Sequence, residues 1–275
     1  MKLHEFRKLS TQKITPVSTT AQLDAELIMM HVLNKSRAQL YIALEEILSK
    51  EDEKKLLPYI TRRARGEPMA YLLGKKGFWT MDLTVTPDTL IPRPETECLV
   101  EWILTHYKEV DALRIADLGT GSGAIALALA TVKPNWKIDA TDQSEEALAI
   151  AKQNAEKHGI KSISFYSGDW FDALPQKNYD VIVSNPPYIP EKDPHLKHLK
   201  FEPKQALISG RDGLDAIRNL TAKARDFLSY RGYLVVEHGY DQAYEVADIF
   251  KSAGFLDIQS HRDLSDVSRF VVGRA

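Results

Sequence analysis

The sequence contains only one cysteine, Cys98, among its 275 residues. A single thiol excludes an internal disulfide and a zinc site built on cysteines, so we expect Cys98 to be structural in a reducing cytoplasm. No stretch approaches the roughly 20 apolar residues that span a bilayer, and residues 1–10 lack the apolar segment typical of export signals. The sequence therefore predicts a cytoplasmic protein that makes no membrane contact.

A strong excess of charge of either sign is also absent. Lysine and arginine number 36 against 38 acidic residues, which gives a formal net charge of -2. Proteins that mainly wrap nucleic acid need many cations to neutralise phosphates, so this balance predicts no direct nucleic-acid partner. Residues 1–75 hold 13 basic and 9 acidic residues, and this local excess of +4 is typical of a solvated helical surface.

What the chain does contain is typical of a folded protein. Hydrophobic residues make up 44% and charged residues 27%, close to the averages of globular domains. The length suits one large domain, or a standard domain with a smaller partner. No internal repeat or low-complexity segment interrupts it.

The first 75 residues carry helical patterns. Apolar residues recur at helical spacing over Ala21–Leu33, a second helix is expected from Ser36, and apolar residues among charges continue over Lys50–Arg65. A Gly-Glu-Pro stretch ends the last of these helices. We therefore expect a small all-helical domain over residues 1–75.

A β-hairpin linker is predicted next, over residues 76–92. The residues there favour strands, and turn formers stand at Pro87 and Asp88. Pro94 is then expected to open a helix that runs to about Lys108, because proline suits the first helical turn.

Over residues 93–275 short apolar runs alternate with helical stretches. This alternation predicts an α/β domain with a mostly parallel sheet and helices on both faces, and the last two runs, with no room for a helix between them, predict an antiparallel edge. The expected strands are Arg114–Leu118, Lys137–Thr141, Ser162–Tyr166, Asp180–Ser184, Gly232–Glu237, Ile258–Arg262 and Arg269–Gly273.

A glycine-rich turn follows the first expected strand. It reads Asp117-Leu118-Gly119-Thr120-Gly121-Ser122-Gly123 and opens an apolar helix. Glycines permit positive φ and a close approach of a ligand to the backbone. The G-x-G-x-G spacing differs from the G-x-G-x-x-G that seats a pyrophosphate, so it favours a nucleoside with an amino-acid tail over a dinucleotide. A tight strand-to-helix turn is the competing interpretation.

Acidic residues follow the next two expected strands. Asp142 can accept hydrogen bonds from both hydroxyls of a ribose, although it could instead cap the following helix, a role that Ser144 could fill equally well. Asp169 could accept a hydrogen bond from an adenine amine, and Trp170 could supply an aromatic wall or simply belong to the core.

The segment Asn185-Pro186-Pro187-Tyr188 directly follows the fourth expected strand. The nitrogen of an amide or an arylamine is a poor nucleophile because its lone pair is delocalised, and two acceptors that bind its hydrogens would localise that pair. The Asn185 side-chain oxygen and the Pro186 carbonyl can be those acceptors. The prolines fix φ and remove N–H donors, and Tyr188 can pack on the planar group and align it.

Together these motifs resemble the amino-methyltransferases that modify adenine in DNA, guanine in RNA or glutamine in proteins. The wider context is similar to release-factor glutamine methyltransferases over essentially the whole chain. Besides the helical N-terminal segment, the similar segments are Gly66-Glu67-Pro68, Gly77-Phe78-Trp79, Ile91-Pro92-Arg93-Pro94-Glu95-Thr96-Glu97, Asp169-Trp170-Phe171, Phe201-Glu202-Pro203 and Glu237-His238-Gly239.

The resemblance implies a Rossmann-like, seven-stranded class I methyltransferase domain behind a helical domain and a hairpin. It implies methyl transfer from S-adenosyl-L-methionine, which leaves S-adenosyl-L-homocysteine, to the Gly-Gly-Gln glutamine of class I peptide chain release factors. The cofactor is then expected on Gly119–Gly123, Asp142, Asp169, Trp170 and Asn185, and the glutamine on Asn185–Tyr188. For Arg93–Glu97 a contact to the methionine tail and a helix-start role stay open, and structural roles are expected for the segments around Phe78, Glu202 and Glu237.

The sequence features also bear on three other functions. A nucleic-acid methyltransferase would keep the chemistry, but base extrusion needs a basic recognition region and the only extra domain is short. A binding module that has lost activity would not need an intact Asn185–Tyr188 segment. A nicotinamide dehydrogenase is disfavoured by the glycine spacing. No side chain is a strong general-base candidate, and His195 has no partner at metal-ligand spacing, so no metal is expected.

Overall fold

The computed structural model describes all 275 residues, which separate into two compact units, Met1–Lys75 and Lys76–Ala275. The first unit has one hydrophobic core of its own, and the second has a core on each face of its sheet. None of the helices is long and apolar enough to cross a membrane.

The first unit is helical. Its helices are α1 Leu3–Ile14, α2 Ala21–Leu33, α3 Arg37–Ile42, α4 Lys50–Ala64 and α5 Met69–Leu73. Ser36 and Ser49 accept hydrogen bonds from the backbone N–H groups of Gln39 and Asp52, which satisfies donors that have no partner within α3 and α4. The helix bounds predicted for α2 agree with the structure.

Ion pairs accompany the core of this helical unit. Glu26 is only 1% exposed, and its carboxylate accepts hydrogen bonds from Arg7, Arg37 and Tyr41. Asp24 pairs with Arg63 at 2.8 Å. A buried carboxylate is costly unless it is paired, so these contacts hold α1, α2, α3 and α4 in one arrangement.

A β-hairpin follows, formed by β1 Lys75–Phe78 and β2 Met81–Thr84. Trp79 lies at its turn with a φ of 54° and is half-buried against the core that Phe78 enters fully. The strands begin earlier than the residue pattern predicts, because Lys75 and Gly77 pair in the ladder although neither favours strands.

The second unit contains a seven-stranded sheet with the order β5-β4-β3-β6-β7-β9-β8. Its strands are β3 Arg114–Leu118, β4 Lys137–Asp142, β5 Ile163–Ser167, β6 Tyr179–Ser184, β7 Leu228–Glu237, β8 Leu256–Arg262 and β9 Ser268–Arg274. The strands β3 to β7 are parallel, and β9 runs antiparallel to both β7 and β8. The antiparallel pair expected at the edge is therefore present. In it, β9 lies between β7 and β8, and β8 is the edge strand.

Helices cover both faces of this sheet. They are α6 Glu97–His106, α7 Ala124–Val132, α8 Glu145–Lys157, α9 Asp215–Ala224 and α10 Ala243–Ser252. Successive side chains of a strand point to opposite faces. Accordingly Val181 and Val183 join the core with the hairpin, α6 and α7, whereas Ile182 joins the core with α9 and α10.

The helix predicted from Pro94 begins differently from the expectation. Pro94–Thr96 form a single 3-10 turn, and the α-helix starts at Glu97 and ends at His106, two residues before Lys108. Proline starts the turn as predicted, but the chain needs one tighter turn before regular α-helical hydrogen bonds begin.

Candidate active site

The site lies where the strand order of the sheet reverses. β3 is paired on one side with β4 and on the other with β6, and Leu118 and Ser184 are in register at their carboxyl ends. In open α/β sheets such a switch point leaves a crevice in which ligands bind. The loop after β3 and the segment after β6 therefore begin side by side. The crevice is lined by Asp88, Leu90, Gly119, Gly121, Asp142, Gly168, Asp169, Trp170, Asn185 and Pro187, among others.

The glycine loop forms the floor of this crevice. Gly119 has a φ of 72°, and a Cβ there would lie 3.2 Å from the ring of Trp170. A larger residue there would be strained by the positive φ and would crowd the Trp170 ring. The N–H groups of Gly119 and Thr120 each donate to the Thr141 carbonyl at 2.9 Å, which ties the loop to β4.

Asp117 supports the loop from behind. Its carboxylate is buried and accepts hydrogen bonds from the Thr120 hydroxyl at 2.6 Å and from the Ala126 N–H at 3.2 Å. Burial raises the pKa of Asp117 to about 6, although these two donors lower it. The loop is thus held in shape by contacts that form within the chain.

Asp142 lies at the carboxyl end of β4, next to the loop. Its Oδ2 accepts the Gly121 N–H at 2.8 Å, and its Oδ1 accepts the Ser144 N–H at 3.0 Å. Burial raises the pKa of Asp142, and these backbone donors lower it. The α8 cap is Ser144, whose hydroxyl accepts the Ala147 N–H at 3.0 Å. The Asp142 carboxylate therefore lines the crevice with lone pairs left for a ligand.

Asn185 lies at the end of β6 and lines two cavities. One is the crevice with the glycine loop, and the other is a cavity of about 290 Å³ beside Arg93 and Tyr188. The Ser184 hydroxyl donates to the Leu118 carbonyl at 2.7 Å and anchors the strand end. Asn185 Nδ2 donates to Thr96 Oγ1 at 3.1 Å. No hydrogen bond within the chain uses Asn185 Oδ1 or the carbonyl oxygen of Pro186.

The backbone beyond Tyr188 is fixed by a close contact. Gln242 donates a hydrogen bond to the Tyr188 carbonyl at 3.0 Å. Gly213, with a φ of 83°, lies so near that a Cβ there would come within 2.3 Å of the same oxygen. Only glycine allows this approach, so the Pro-Pro-Tyr segment is held at both ends.

Two family models match the chain. Residues 8–74 match the PrmC N-terminal domain, and residues 95–201 match the methyltransferase small domain. A release factor glutamine methyltransferase from Coxiella burnetii is 51% identical over 274 residues, which is 100% of this chain and 99% of that protein. The chain belongs to the release factor glutamine methyltransferase family. Proteins of that name from Pseudomonas aeruginosa and Escherichia coli K12 are 44% and 42% identical, each over 94% of this chain and 94% and 93% of their own lengths.

Solved structures agree on the fold. A methyltransferase from Pyrococcus furiosus has a TM-score of 0.54 at 17% identity, over 78% of this chain and 96% of that chain. The hMettl16 catalytic domain in complex with a MAT2A 3'UTR hairpin has a TM-score of 0.59 at 15% identity, over 82% and 80% of the two chains. The class I methyltransferase fold expected from the sequence is confirmed, and so is the resemblance to a family of protein-glutamine methyltransferase enzymes.

The structure brings most of the predicted site residues of this family member together. Gly119, Gly121, Asp142, Asp169, Trp170, Asn185 and Pro187 all line the crevice. Pro186 is buried and lines neither cavity, and Tyr188 lines the neighbouring cavity. Trp170 adopts a φ of 42°, a left-handed conformation that is uncommon for a side chain of its size.

Three predicted cofactor residues of the loop do not face the crevice but contact other parts of the chain. Thr120 turns its hydroxyl to Asp117, the Ser122 carbonyl accepts the Asn154 amide at 3.0 Å, and Gly123 forms the N-cap of α7 with a φ of 86°. None of the three lines the crevice. These contacts shape the loop, and a direct part of the three residues in cofactor binding stays a prediction.

Sequence reasoning gave no specific role to two buried acids near the site. Glu202 accepts hydrogen bonds from Arg93 at 2.6 Å and from the Ile91 N–H at 3.1 Å. Glu237 accepts one from Thr96 Oγ1 at 2.7 Å. The position of Glu237 at the carboxyl end of an expected parallel strand could have indicated a role in the site, because ligands bind at the carboxyl ends of such strands.

Glu237 should make stability depend on pH. Burial raises its pKa to about 7, so the native state holds this proton more tightly than the unfolded chain does. The stabilisation is complete below about pH 4.5 and is lost as the pH rises through about 7, a change of about 3 kcal/mol. Urea unfolding of wild type and Glu237→Gln at several pH values should show their free-energy difference shifting by that amount. A pH-independent difference would contradict a buried, titrating Glu237.

Proposed function

We propose that this chain transfers the methyl group of S-adenosyl-L-methionine to the side-chain amide nitrogen of the glutamine in the Gly-Gly-Gln motif of class I peptide chain release factors. The observation that carries the proposal is the position of Asn185 between two cavities, with its Oδ1 and the Pro186 carbonyl oxygen both free of hydrogen bonds from within the chain. The names of the relatives support the same substrate. A release factor substrate also supports activity in the cytoplasm.

The crevice fits the methyl donor. The exposed backbone at Gly119 and Gly121 allows a ligand to approach closely, and the Asp142 carboxylate can accept hydrogen bonds from the two ribose hydroxyls. Asp169 and Trp170 line the same crevice and can contact the adenine. The donor, when bound, supplies a methyl group on a sulfonium, which leaves as a neutral thioether in S-adenosyl-L-homocysteine. The loop is already held by Thr141 and Asp117, so little ordering is needed on binding.

The residues after β6 prepare the amide for transfer. Asn185 Oδ1 and the Pro186 carbonyl accept its two hydrogens, which fixes the plane of the amide and raises electron density on nitrogen. Tyr188 packs on the amide and holds it in line with the methyl group. The nitrogen-methyl bond forms as the sulfur-methyl bond breaks, and the nitrogen then loses one proton to water or through Asn185. The site contributes positioning and electrostatics, and no step requires a strong base from the chain.

The helical unit is proposed to bind the protein substrate. Every residue assigned to the donor and to the amide lies within Lys76–Ala275, so the chemistry does not account for Met1–Lys75. The matching PrmC N-terminal model places this helical unit within the same family. We therefore divide the proposed roles into substrate recognition over residues 1–75, a hairpin linker over residues 76–92 and methyl transfer over residues 93–275.

The proposed function is tested by a substrate comparison. The protein is incubated with S-adenosylmethionine carrying a labelled methyl group and, in separate reactions, with intact recombinant release factor, DNA and RNA. We expect label on the release factor alone, and mass spectrometry should place it on the Gly-Gly-Gln glutamine. A release factor in which that glutamine is alanine is the matched control. Label on DNA or RNA instead would overturn the proposal.

Asp142→Ala should weaken binding of the methyl donor. Losing hydrogen bonds to a charged acceptor typically costs about 1 to 3 kcal/mol, which corresponds to roughly 5- to 150-fold in affinity. The substitution also frees the Gly121 N–H that Asp142 holds at 2.8 Å. Calorimetric titration with S-adenosylmethionine measures the effect, with Asp226→Ala in the exposed turn after α9 as the control. Unchanged affinity in folded Asp142→Ala would remove Asp142 from the site.

A further inference from the structure

We propose that Glu237 and Thr96 form a directional hydrogen-bond relay that orients the Asn185 carboxamide with its oxygen facing the substrate amide. The inference rests on the proposed methyl transfer to an amide nitrogen, because that chemistry needs an acceptor at this position. Glu237 and Thr96 are positioning residues that act through Asn185.

Three segments far apart in the chain meet in this relay. Glu237 ends β7, Thr96 ends the 3-10 turn before α6, and Asn185 follows β6. Asn185 Nδ2 lies 3.1 Å from Thr96 Oγ1, and Thr96 Oγ1 lies 2.7 Å from Glu237 Oε2. Thr96 and Glu237 are 3% and 1% exposed. Water is therefore excluded from the hydrogen bond between Thr96 and Glu237, whereas Asn185 is half-buried and lines the two cavities.

The chemistry of the three groups fixes the direction of the relay. An ionised carboxylate only accepts hydrogen bonds, and a hydroxyl has one hydrogen to give. Thr96 must therefore point its hydrogen at Glu237, which leaves its oxygen as an acceptor towards Asn185. The Asn185 side chain therefore donates to Thr96 through its NH₂ group, which leaves Oδ1 on the side of the cavities.

The opposite orientation of Asn185 is disfavoured by the same rule. A carboxamide has nearly the same shape in both orientations, so packing alone discriminates poorly between them. If Oδ1 faced Thr96, two oxygens would meet with no hydrogen between them, and an unpaired buried acceptor is costly. Asn185 would then offer N–H groups to a substrate amide whose own hydrogens need acceptors.

The surroundings of Glu237 set the condition under which the relay holds. The Tyr188 hydroxyl donates to Glu237 Oε1 at 3.3 Å, Arg269 adds an attractive positive charge, and Glu95 adds a repulsive negative one. Burial outweighs the hydrogen bonds and raises the pKa of Glu237 to about 7. A protonated Glu237 can donate as well as accept, so Thr96 is free to reverse its hydroxyl. The orientation of Asn185 is then no longer imposed.

The relay predicts a specific set of kinetic effects. With saturating donor and intact release factor, the single-turnover rate of the wild type should fall by up to tenfold per pH unit below about pH 7. Thr96→Val removes the hydroxyl at constant shape and should lower the rate at pH 8 by roughly ten- to a hundredfold, the range expected for losing a buried polar contact. Thr96→Ser should restore most of the rate. Glu237→Gln should be slower at pH 8 and should lose the acidic fall in rate.

Controls separate this role from a structural one. Thr221→Val removes a buried hydroxyl in α9 that bonds only to the Ile217 and Arg218 carbonyls, so it should leave the rate and its pH profile unchanged. Donor affinity measured by calorimetry should stay within about twofold for every variant. Donor affinity that falls together with the rate would mean that Thr96 and Glu237 only support the fold.

A second readout does not depend on activity. In the wild type at pH 8, NMR of the Asn185 side-chain NH₂ should show one proton protected from exchange by its bond to Thr96, and this protection should be lost in Thr96→Val. A wild-type rate and pH profile in Thr96→Val, with no protected proton in the wild type, would overturn the relay while methylation itself persists. Absent methylation by the wild type would instead refute the proposed function, and the NMR result would still decide the orientation of Asn185.

Discussion

Asn185→Ala should methylate intact release factor roughly a hundred- to a thousandfold more slowly than the wild type in a single turnover at saturating S-adenosylmethionine. The substitution deletes one of the two acceptors that hold the target amide, and losing one preorganised polar contact at a reacting centre commonly costs that much. Most of the crevice, including Asp142 and Trp170, keeps its contacts, so donor affinity should change little. The measurement is a rapid-quench assay with labelled donor beside a calorimetric titration.

Two further variants sharpen this experiment. Asn185→Asp keeps the shape but adds a negative charge, which would attract the sulfonium and stabilise the ground state, and it also places an oxygen against Thr96 Oγ1. We expect Asn185→Asp to be impaired as well. Asn219→Ala, on the exposed side of α9, is the matched control and should behave as the wild type. A near wild-type rate for Asn185→Ala would reduce Asn185 to a turn residue and refute the mechanism.

Removal of residues 1–75 should lower kcat/KM for intact release factor by about a hundredfold or more. A second attachment point raises the effective concentration of a tethered target by such factors, so its loss should appear mainly with the whole protein substrate. A chain that begins at Lys76 keeps three of the four β1 residues for pairing with β2 and retains both cores of the sheet. Donor affinity measured by calorimetry should therefore stay close to that of the full chain.

The control for this truncation is the size of the substrate. A short peptide that contains the Gly-Gly-Gln motif lacks the rest of the release factor that a separate recognition surface would bind, so the truncated and full-length chains should methylate it at similar rates. Circular dichroism and thermal unfolding establish that the truncated chain is folded. Equal losses on the peptide and on the whole protein would show that residues 1–75 stabilise the enzyme and do not recognise its substrate.

Local patterns in the sequence predicted the elements whose signals are strong. The bounds of α2 and β3 agree with the expectation, because the amphipathic or apolar runs there end at a capping residue or at a glycine. By contrast, β7 begins at Leu228, four residues before the expected Gly232. The Ser-Tyr-Arg-Gly sequence is typical of a turn, and Arg231 does adopt a φ of 64°, but pairing with β6 continues across a bulge.

In the site, too, the features formed by neighbouring residues could be predicted, and the contacts between residues far apart in the chain could not. The glycine loop and the Asn185–Tyr188 segment could be predicted because each carries its chemistry within a few residues. The bonds of Thr96 with Glu237 and of Arg93 with Glu202 join residues 141 and 109 positions apart. No periodicity links such pairs, since their meeting depends on which strands become neighbours. The sequence likewise could not show that Thr120, Ser122 and Gly123 do not line the crevice.

The insertion of β9 between β7 and β8 has a consequence for the order of assembly. Glu237 pairs with Phe270 of β9, so β7 presents an unpaired edge until a strand from the end of the chain arrives. Because β9 follows every other strand in the chain, this edge is covered last, and an open strand edge can pair with another chain in the meantime. The glycine loop depends only on β3 and β4 and their helices, which can form earlier. The nascent enzyme should therefore acquire its donor-binding half before the strand carrying Glu237 is locked in place, and it should aggregate most readily in that interval.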